Sequence, residues 1–401
     1  QEHKYVVPEG INLERCTTWN GSDADDALAP ALSGGHNLHG TNSSSAKFTL
    51  LGDKKLYFIS TGSLAVGSFR LVQAEERIGK EIDTQVVATS NGEGDRDHEH
   101  LLDLVRVCRI SKEDEEDVTG VGIFTPNYDN RGGHPWWPLR FAVAVELPRA
   151  LSSGLSTAPL AISSFTTHLP LFAHDVLLTS ASVVFTDVFL LTEDTHVTAN
   201  ITAEHLGVMS TNGPIKGEFS ASKSMMLVAS NAEIDVTVSG LHDASQENGT
   251  FLQITANDGR INARMSLLST GYEEGKGGKF NLIVSTTNAG VNLTFPQAPV
   301  ESTMELWAVS SNGGVDVAMH PTYEGSFRLE SYEGHQPEIR IGEGDQDPEE
   351  KGRTRTVRTT VWTKDRVLGE TFWGEGGEKK DSKSLALLST STGPVVLRFE
   401  G

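Results

Sequence analysis

The sequence predicts an all-β chain: a β-solenoid, or β-helix-like stack, of short strand–Asn/Gly turn–strand coils. Three observations carry this. Alternation of apolar and polar residues recurs along the chain, while almost no segment holds a 3.6-residue period over three turns. In the middle, "LGVMSTNGPIKGEFSA", "MMLVASNAEIDVTVSG", "LQITANDGRINARMSL", "FNLIVSTTNAGVNLTF" and "LWAVSSNGGVDVAM" repeat one form, with turns near Asn212, Asn231, Asp258, Asn288 and Asn312. Finally, GSFRL occurs at 67–71 and again at 325–329, and acidic stretches, GEGDRD at 92–97 and GEGDQD at 342–347, follow in the same order. A β-sandwich with Asn-Gly hairpins is the alternative. Recurrence of one phrase at solenoid-like intervals favours coils that bury their faces against their neighbours.

In order, residues 1–46 are polar and rich in Gly, Ser and Asp, and read as an extended N-terminal arm. Residues 47–138 read as an N-terminal β module with acidic loops, beginning with the alternating run "KFTLLGDKKLYFISTGSLAVGSFRLV". The repeated phrases place the central solenoid coils at 139–330. Residues 331–401 form a C-terminal β module, in which "LALLSTSTGPVVLRF" returns to the coil form and closes the stack. Each GSFRL copy is expected to leave a Gly corner with Phe inward and Arg outward. The pair would mark related modules at the two ends, where a stack needs special units. Asn212-Gly213 and Gly313-Gly314 are expected to turn with positive φ, which glycine tolerates best. The arm, with a short strand at 5–7, either caps its own stack or adds to a neighbour's edge and builds a head-to-tail filament.

The net charge of −21, from 33 Lys and Arg against 54 Asp and Glu, argues against a nucleic-acid partner held through phosphates. No apolar run is long enough for a membrane-spanning helix. The chain opens on Gln1 and not Met, as a chain does after leader removal. It has two cysteines, Cys16 and Cys108, and sequons at Asn20, Asn42, Asn200, Asn248 and Asn292. Together these predict a secreted, extracellular or cell-surface glycoprotein, with glycans on those asparagines and one disulfide tying the arm to the body.

From "FAVAVELP" through the successive strand–"NG"–strand phrases, the chain resembles a family of secreted, adhesin-like β-solenoid domains, in a divergent form of fungal type. The resemblance spans roughly 139–330, with a returning copy at 385–399. It implies a surface or matrix location, a structural or adhesive role, and no known catalytic residue. The long arm and the two GSFRL modules depart from it.

Candidate chemistry is sparse. The acidic loops could offer oxygens to Ca²⁺, but neither has the EF-hand or nonapeptide spacing. Asp95, Asp97, His98 and His100 could meet a transition metal, without a third partner of the usual spacing. A solvated loop explains both stretches better. Trp136 and Trp137, in "GGHPWWPLRF", could stack on sugar rings of a cell-wall polysaccharide, or could plug the stack. Asp235 and Asp316 follow corresponding turns and could form the carboxylate pair of a carbohydrate-active enzyme. There is no nucleophile elbow, phosphate loop, dinucleotide fingerprint or zinc signature, and no cofactor is expected. The reading is therefore a structural or adhesive protein that could assemble as a homo-oligomer or filament, with a carbohydrate-binding or carbohydrate-active protein as the alternative.

Overall fold

The computed structural model describes residues 5–17, 41–91, 102, 105–127, 139–150, 159–179, 182–271, 273, 275–342, 346–374 and 384–399. Their secondary structure is strand, with no α-helix among them, and the chain divides into two compact units, Gln1–Ile201 and Thr202–Gly401. That division cuts across the four segments expected from the sequence.

The first unit contains β1 (Ile11–Cys16), β2 (Thr41–Leu51), β3 (Lys55–Thr61), β4 (Gly67–Ile78), β5 (Glu81–Asn91), β6 (Arg106–Lys112), β7 (Val118–Phe124), β8 (Leu139–Arg149), β9 (Leu160–His168), β10 (Phe172–Leu177), β11 (Val183–Thr192) and the start of β12 (Val197–Ser210). Coils form because β3 turns into β4, β9 into β10 and β11 into β12, and like strands pair in parallel. The first row of parallel strands runs β7, β3, β9, β11, and the second β8, β4, β10, β12. Coil 55–72 thus lies between the coil of β7 and β8 and the coil of β9 and β10, although it precedes both in sequence. Beyond β7 and β8 the pairing becomes antiparallel, with β6 and then β1 on one row and β5 and then β2 on the other.

Two stretches of the expected arm are therefore ordered strands, β1 and the beginning of β2. Alternation explains β1: Ile11 and Leu13, together with Tyr5 and Val7, pack on Ile59, Cys108, Ile110 and Phe124. Thr61 Oγ1 donates to the Val6 carbonyl at 2.7 Å. Residues 5–13 thus pack on their own chain.

The second unit contains β13 (Ile215–Ala229), β14 (Ile234–Asp243), β15 (Thr250–Ala256), β16 (Ile261–Thr270), β17 (Lys279–Thr286), β18 (Val291–Gln297), β19 (Thr303–Ser310), β20 (Val315–Met319), β21 (Gly325–Ser331), β22 (Glu338–Ile341), β23 (Arg355–Trp362), β24 (Arg366–Trp373), β25 (Leu385–Thr390) and β26 (Val395–Phe399). Strands entering the corners pair in parallel in the order β13, β15, β17, β19, β25, β21. Strands leaving them run β13, β14, β16, β18, β20, β26, β22. Coil 385–399 is again interleaved: it sits between coil 303–319 and coil 325–341. Antiparallel β24 and β23 then extend β21.

Period-two alternation fixes what is inside. Ile215, Ile234, Ile261, Val291, Val315 and Val395 stand in one register and are all buried. Each such side chain contributes roughly 1.5–3 kcal/mol by leaving water. This is the predicted solenoid and not a sandwich, because like strands of successive coils pair in parallel along both rows, with antiparallel strands added beyond them.

The GSFRL copies have a common physical basis. Phe69, Leu71, Phe327 and Leu329 are buried while Arg70 and Arg328 are exposed. A Cβ on Gly67 would lie 1.9 Å from the Phe141 carbonyl oxygen, and one on Gly325 would lie 2.6 Å from that of Ser384. Glycine is needed where a neighbouring coil's backbone crosses closely. The modules continue alike in sequence, each acidic stretch starting directly after the next strand, GEGDRD after β5 and GEGDQD after β22. They differ in pairing, since β5 pairs antiparallel with β8 and β22 parallel with β26.

Candidate functional site

The corners are built from two ladders of polar side chains. Ser210, Ser310 and Thr390 each stand three residues before a glycine and accept from its N–H: Gly213 at 3.0 Å, Gly313 at 2.8 Å and Gly393 at 3.2 Å. The hydroxyls also donate to the next corner, Ser310 to the Ala289 carbonyl at 2.7 Å and Thr390 to that of Gly313 at 2.7 Å. Ser331 donates to the Gly393 carbonyl at 2.8 Å. Outside this ladder, Asn231 Nδ2 donates to Asn212 Oδ1 at 2.6 Å, Asn288 to Asp258, and Asn312 Nδ2 to Asn288 Oδ1 at 2.7 Å. Stacked like residues satisfy each other across coils.

The expected positive φ at the corner glycines is corrected by the structure. Gly213, Gly313 and Gly314 are not among the positive-φ residues. A Cβ on Gly313 would lie 2.0 Å from the Ala289 carbonyl oxygen, and one on Gly259 would lie 1.7 Å from that of Ala232. Close approach of the coils, not handedness, demands glycine there.

Cys16 and Cys108 are bonded, S–S 2.06 Å, and face each other across β1 and β6. Asn248 and Asn292 are exposed and Asn200 is half-buried. Asn42 lies in β2. Asn20, Trp136, Trp137, Asp95, Asp97, His98 and His100 lie outside the described residues.

Asp235, Asn262, Asn292 and Asp316 share one register on the second row of strands. Three rung spacings put the two aspartates about 14 Å apart, beyond the reach of a paired-carboxylate mechanism. Arg398 Nε donates to Asp316 Oδ1 at 2.8 Å. In the second acidic stretch, Asp347 accepts from the N–H groups of Glu349, Lys351 and Arg353 and from the Arg353 guanidinium at 2.9 and 2.7 Å. The guanidinium and these N–H groups hold its carboxyl far below the usual carboxylate range. Its oxygens are taken by protein donors. Among the described residues, no three His, Cys, Asp or Glu side chains converge as a metal site.

The return loop 320–324 covers a cavity of about 10 Å³ lined by Met304, His320, Tyr323 and Ser384 among others, room for about one water. Arg355 lies 4.6 Å from the Trp373 ring centroid and 5.1 Å from that of Phe399, and donates to the carbonyls of Pro321 and Tyr323. Trp373 Nε1 donates to the Pro321 carbonyl at 2.9 Å. Pattern reading missed this closure, since nothing local joins 321 to 355 and 373. In the first unit His174 is buried against the Phe69 ring. Its Nδ1 lies 2.9 Å from the Phe172 carbonyl and must donate, so Nε2 accepts from Thr167 Oγ1 at 2.8 Å. Burial pushes its pKa down to about 4.

No family model matches the sequence, and no curated protein matches it. Among solved structures, a putative cell adhesion protein from Clostridium sporogenes is similar at 8% identity and a TM-score of 0.18, across 89% of this chain and 100% of that one. A likeness of that degree fixes neither role nor family. Nothing here places the chain among the adhesin-like domains or in a fungal branch of them.

Proposed function

We propose that this chain is a secreted, glycosylated structural or adhesive protein of a cell surface or extracellular matrix. The observation that carries the reading is where the polar side chains go. Hydroxyl and amide ladders bind coil to coil, and the cavity under 320–324 is too small for a substrate. Such a molecule is suited to holding a surface in place. The disulfide supports an oxidising compartment. Exposure of Asn248 and Asn292 supports glycan attachment. End-to-end assembly into filaments belongs to the same proposal, supported by β2, β22 and β23, each with one pairing partner among the described residues.

A glycopeptide map of the protein secreted from eukaryotic cells tests the location. Occupancy at Asn248 and Asn292 is the expected result, and a map with no occupied site removes the secretory reading. Electron microscopy of the purified protein separates filaments from single particles.

A further inference from the structure

On the outer face of the corner-entering strands of the second unit, Met226, Gln253, Ile283, Trp307 and Leu387 fall in one register. Met226, Ile283 and Trp307 are among the exposed large hydrophobic residues, Trp307 at 43%. In the three columns of outward side chains nearest the corners on these five strands, Glu305 alone is charged. It accepts from Trp307 Nε1 at 3.0 Å, which fixes the indole. The columns on either side interleave apolar residues with Asn281, Thr255, Ser285 and Ser389. Lys279 and the Arg328–Glu330 ion pair bound the strip.

The opposite row of strands is different. Its outward positions next to the corners include Lys216, Glu218, Asp235, Arg264, Asp316 and Arg398, and it carries the sequon at Asn292. In a chain of net charge −21, one face of the strand row is kept almost free of charge and of sequons.

We infer that this strip, centred on Trp307, is a binding face for a neutral polysaccharide. The inference rests on the surface-adhesion reading and names its partner. An uncharged polymer meets no repulsion from an acidic protein, whereas a second copy of this chain brings another −21. A self-interface would also bury the amide and hydroxyls of Gln253, Thr255 and Ser285, whose bonds to one another at 3.3 Å leave further donor and acceptor capacity to be filled. A glycan chain supplies hydroxyls to those groups and apolar ring faces to the fixed indole. The parallel strands repeat every ~4.8 Å, so the surface is a regular array suited to a repeating ligand.

The test is sedimentation of the purified full chain with insoluble cellulose, chitin and β-1,3-glucan. Binding to at least one is expected, unchanged in molar salt because no ion pair is involved. Trp307→Ala is expected to weaken it about tenfold or more, as loss of a central aromatic anchor does. Trp362→Ala, at an exposed tryptophan outside the strip, controls for adsorption through any indole and should bind as the parent does. Sedimentation with none of the three polymers, loss of binding in salt, or equal binding by Trp307→Ala overturns the inference. So does a parent dimer in light scattering that Trp307→Ala converts to a monomer, since the strip would then belong to a second copy. None of these results bears on secretion, which the glycopeptide map decides separately.

Discussion

A hydroxyl at a coil corner both accepts from its own turn and donates to the next, so its removal has two consequences. In Ser310→Ala, the Gly313 N–H and the Ala289 carbonyl both lose a buried partner. A cost of about 1–3 kcal/mol is expected from urea unfolding. Gly313→Val should cost about 1–3 kcal/mol by a different route, because its Cβ would press on the Ala289 carbonyl oxygen and force the coils apart. Melting within a degree of the parent would remove the close-approach account. His174 gives the residue-level pH dependence. Unfolded, it takes a proton near 6.5; folded, it does so only near 4. Its contribution is therefore complete above pH ~6.5 and is lost as pH falls from there to about 4, by roughly 3 kcal/mol in all. His174→Met should melt lower at pH 8, having left the Thr167 hydroxyl unpaired, but should lack this share of the acid slope. An unaltered slope would assign the acid sensitivity to other groups.

Among the elements, β1 depends most on a single bond. It pairs with β6 along one edge, and Cys16–Cys108 closes a separation of 92 residues. The loop-entropy model gives such a bond about 4–5 kcal/mol. Reduction should lower the melting temperature and remove hydrogen-exchange protection first from residues 11–16, while the amides of β14 to β19 stay protected. Equal loss across the chain would mean that β1 is not a separable edge. The elements also show which parts of the fold sequence pattern can carry. Alternation at Phe69–Leu71 and Phe327–Leu329 is local, so strand existence and facing were legible. The corners were legible from the turns at Asn212, Asn231, Asp258, Asn288 and Asn312 and from the returning form at 385–399, although the reason for glycine lay in a neighbouring coil. The Asp235–Asp316 alignment was legible too, but its spacing required the two intervening rungs. Trp307 had no distinguishing signal in sequence. Its meaning comes from Met226, Gln253, Ile283 and Leu387, which only the register brings beside it.

For the molecule as a whole, the order of coils in space differs from their order in sequence. No periodicity could have announced it. In the first unit coil 55–72 is enclosed by strands that come later; in the second, coil 385–399 is enclosed by strands that come earlier. An interleaved coil has parallel partners on both sides. β25 joins β19 to β21, and β26 joins β20 to β22. Without it, two pairs of strand edges and the buried side chains of Ala386, Leu388, Val395, Leu397 and Phe399 lose their contacts at once. Pairing over such separations also makes folding slow, because the entropy of closing long loops is lost before the contacts form. Truncation after residue 383 should therefore not fray one end. It should collapse the second unit's cooperative transition and promote association through the exposed edges. Removing the same amount of edge, by disrupting β23 with Val357→Pro, should cost far less, since among the described residues β23 has one neighbour and is largely exposed. A synthetic peptide of residues 384–399 added to the truncated chain should restore the transition, which calorimetry and circular dichroism would follow. If the truncated chain melts cooperatively within a few degrees of the parent, coil 385–399 is a peripheral addition and the enclosed position assigned to it is wrong.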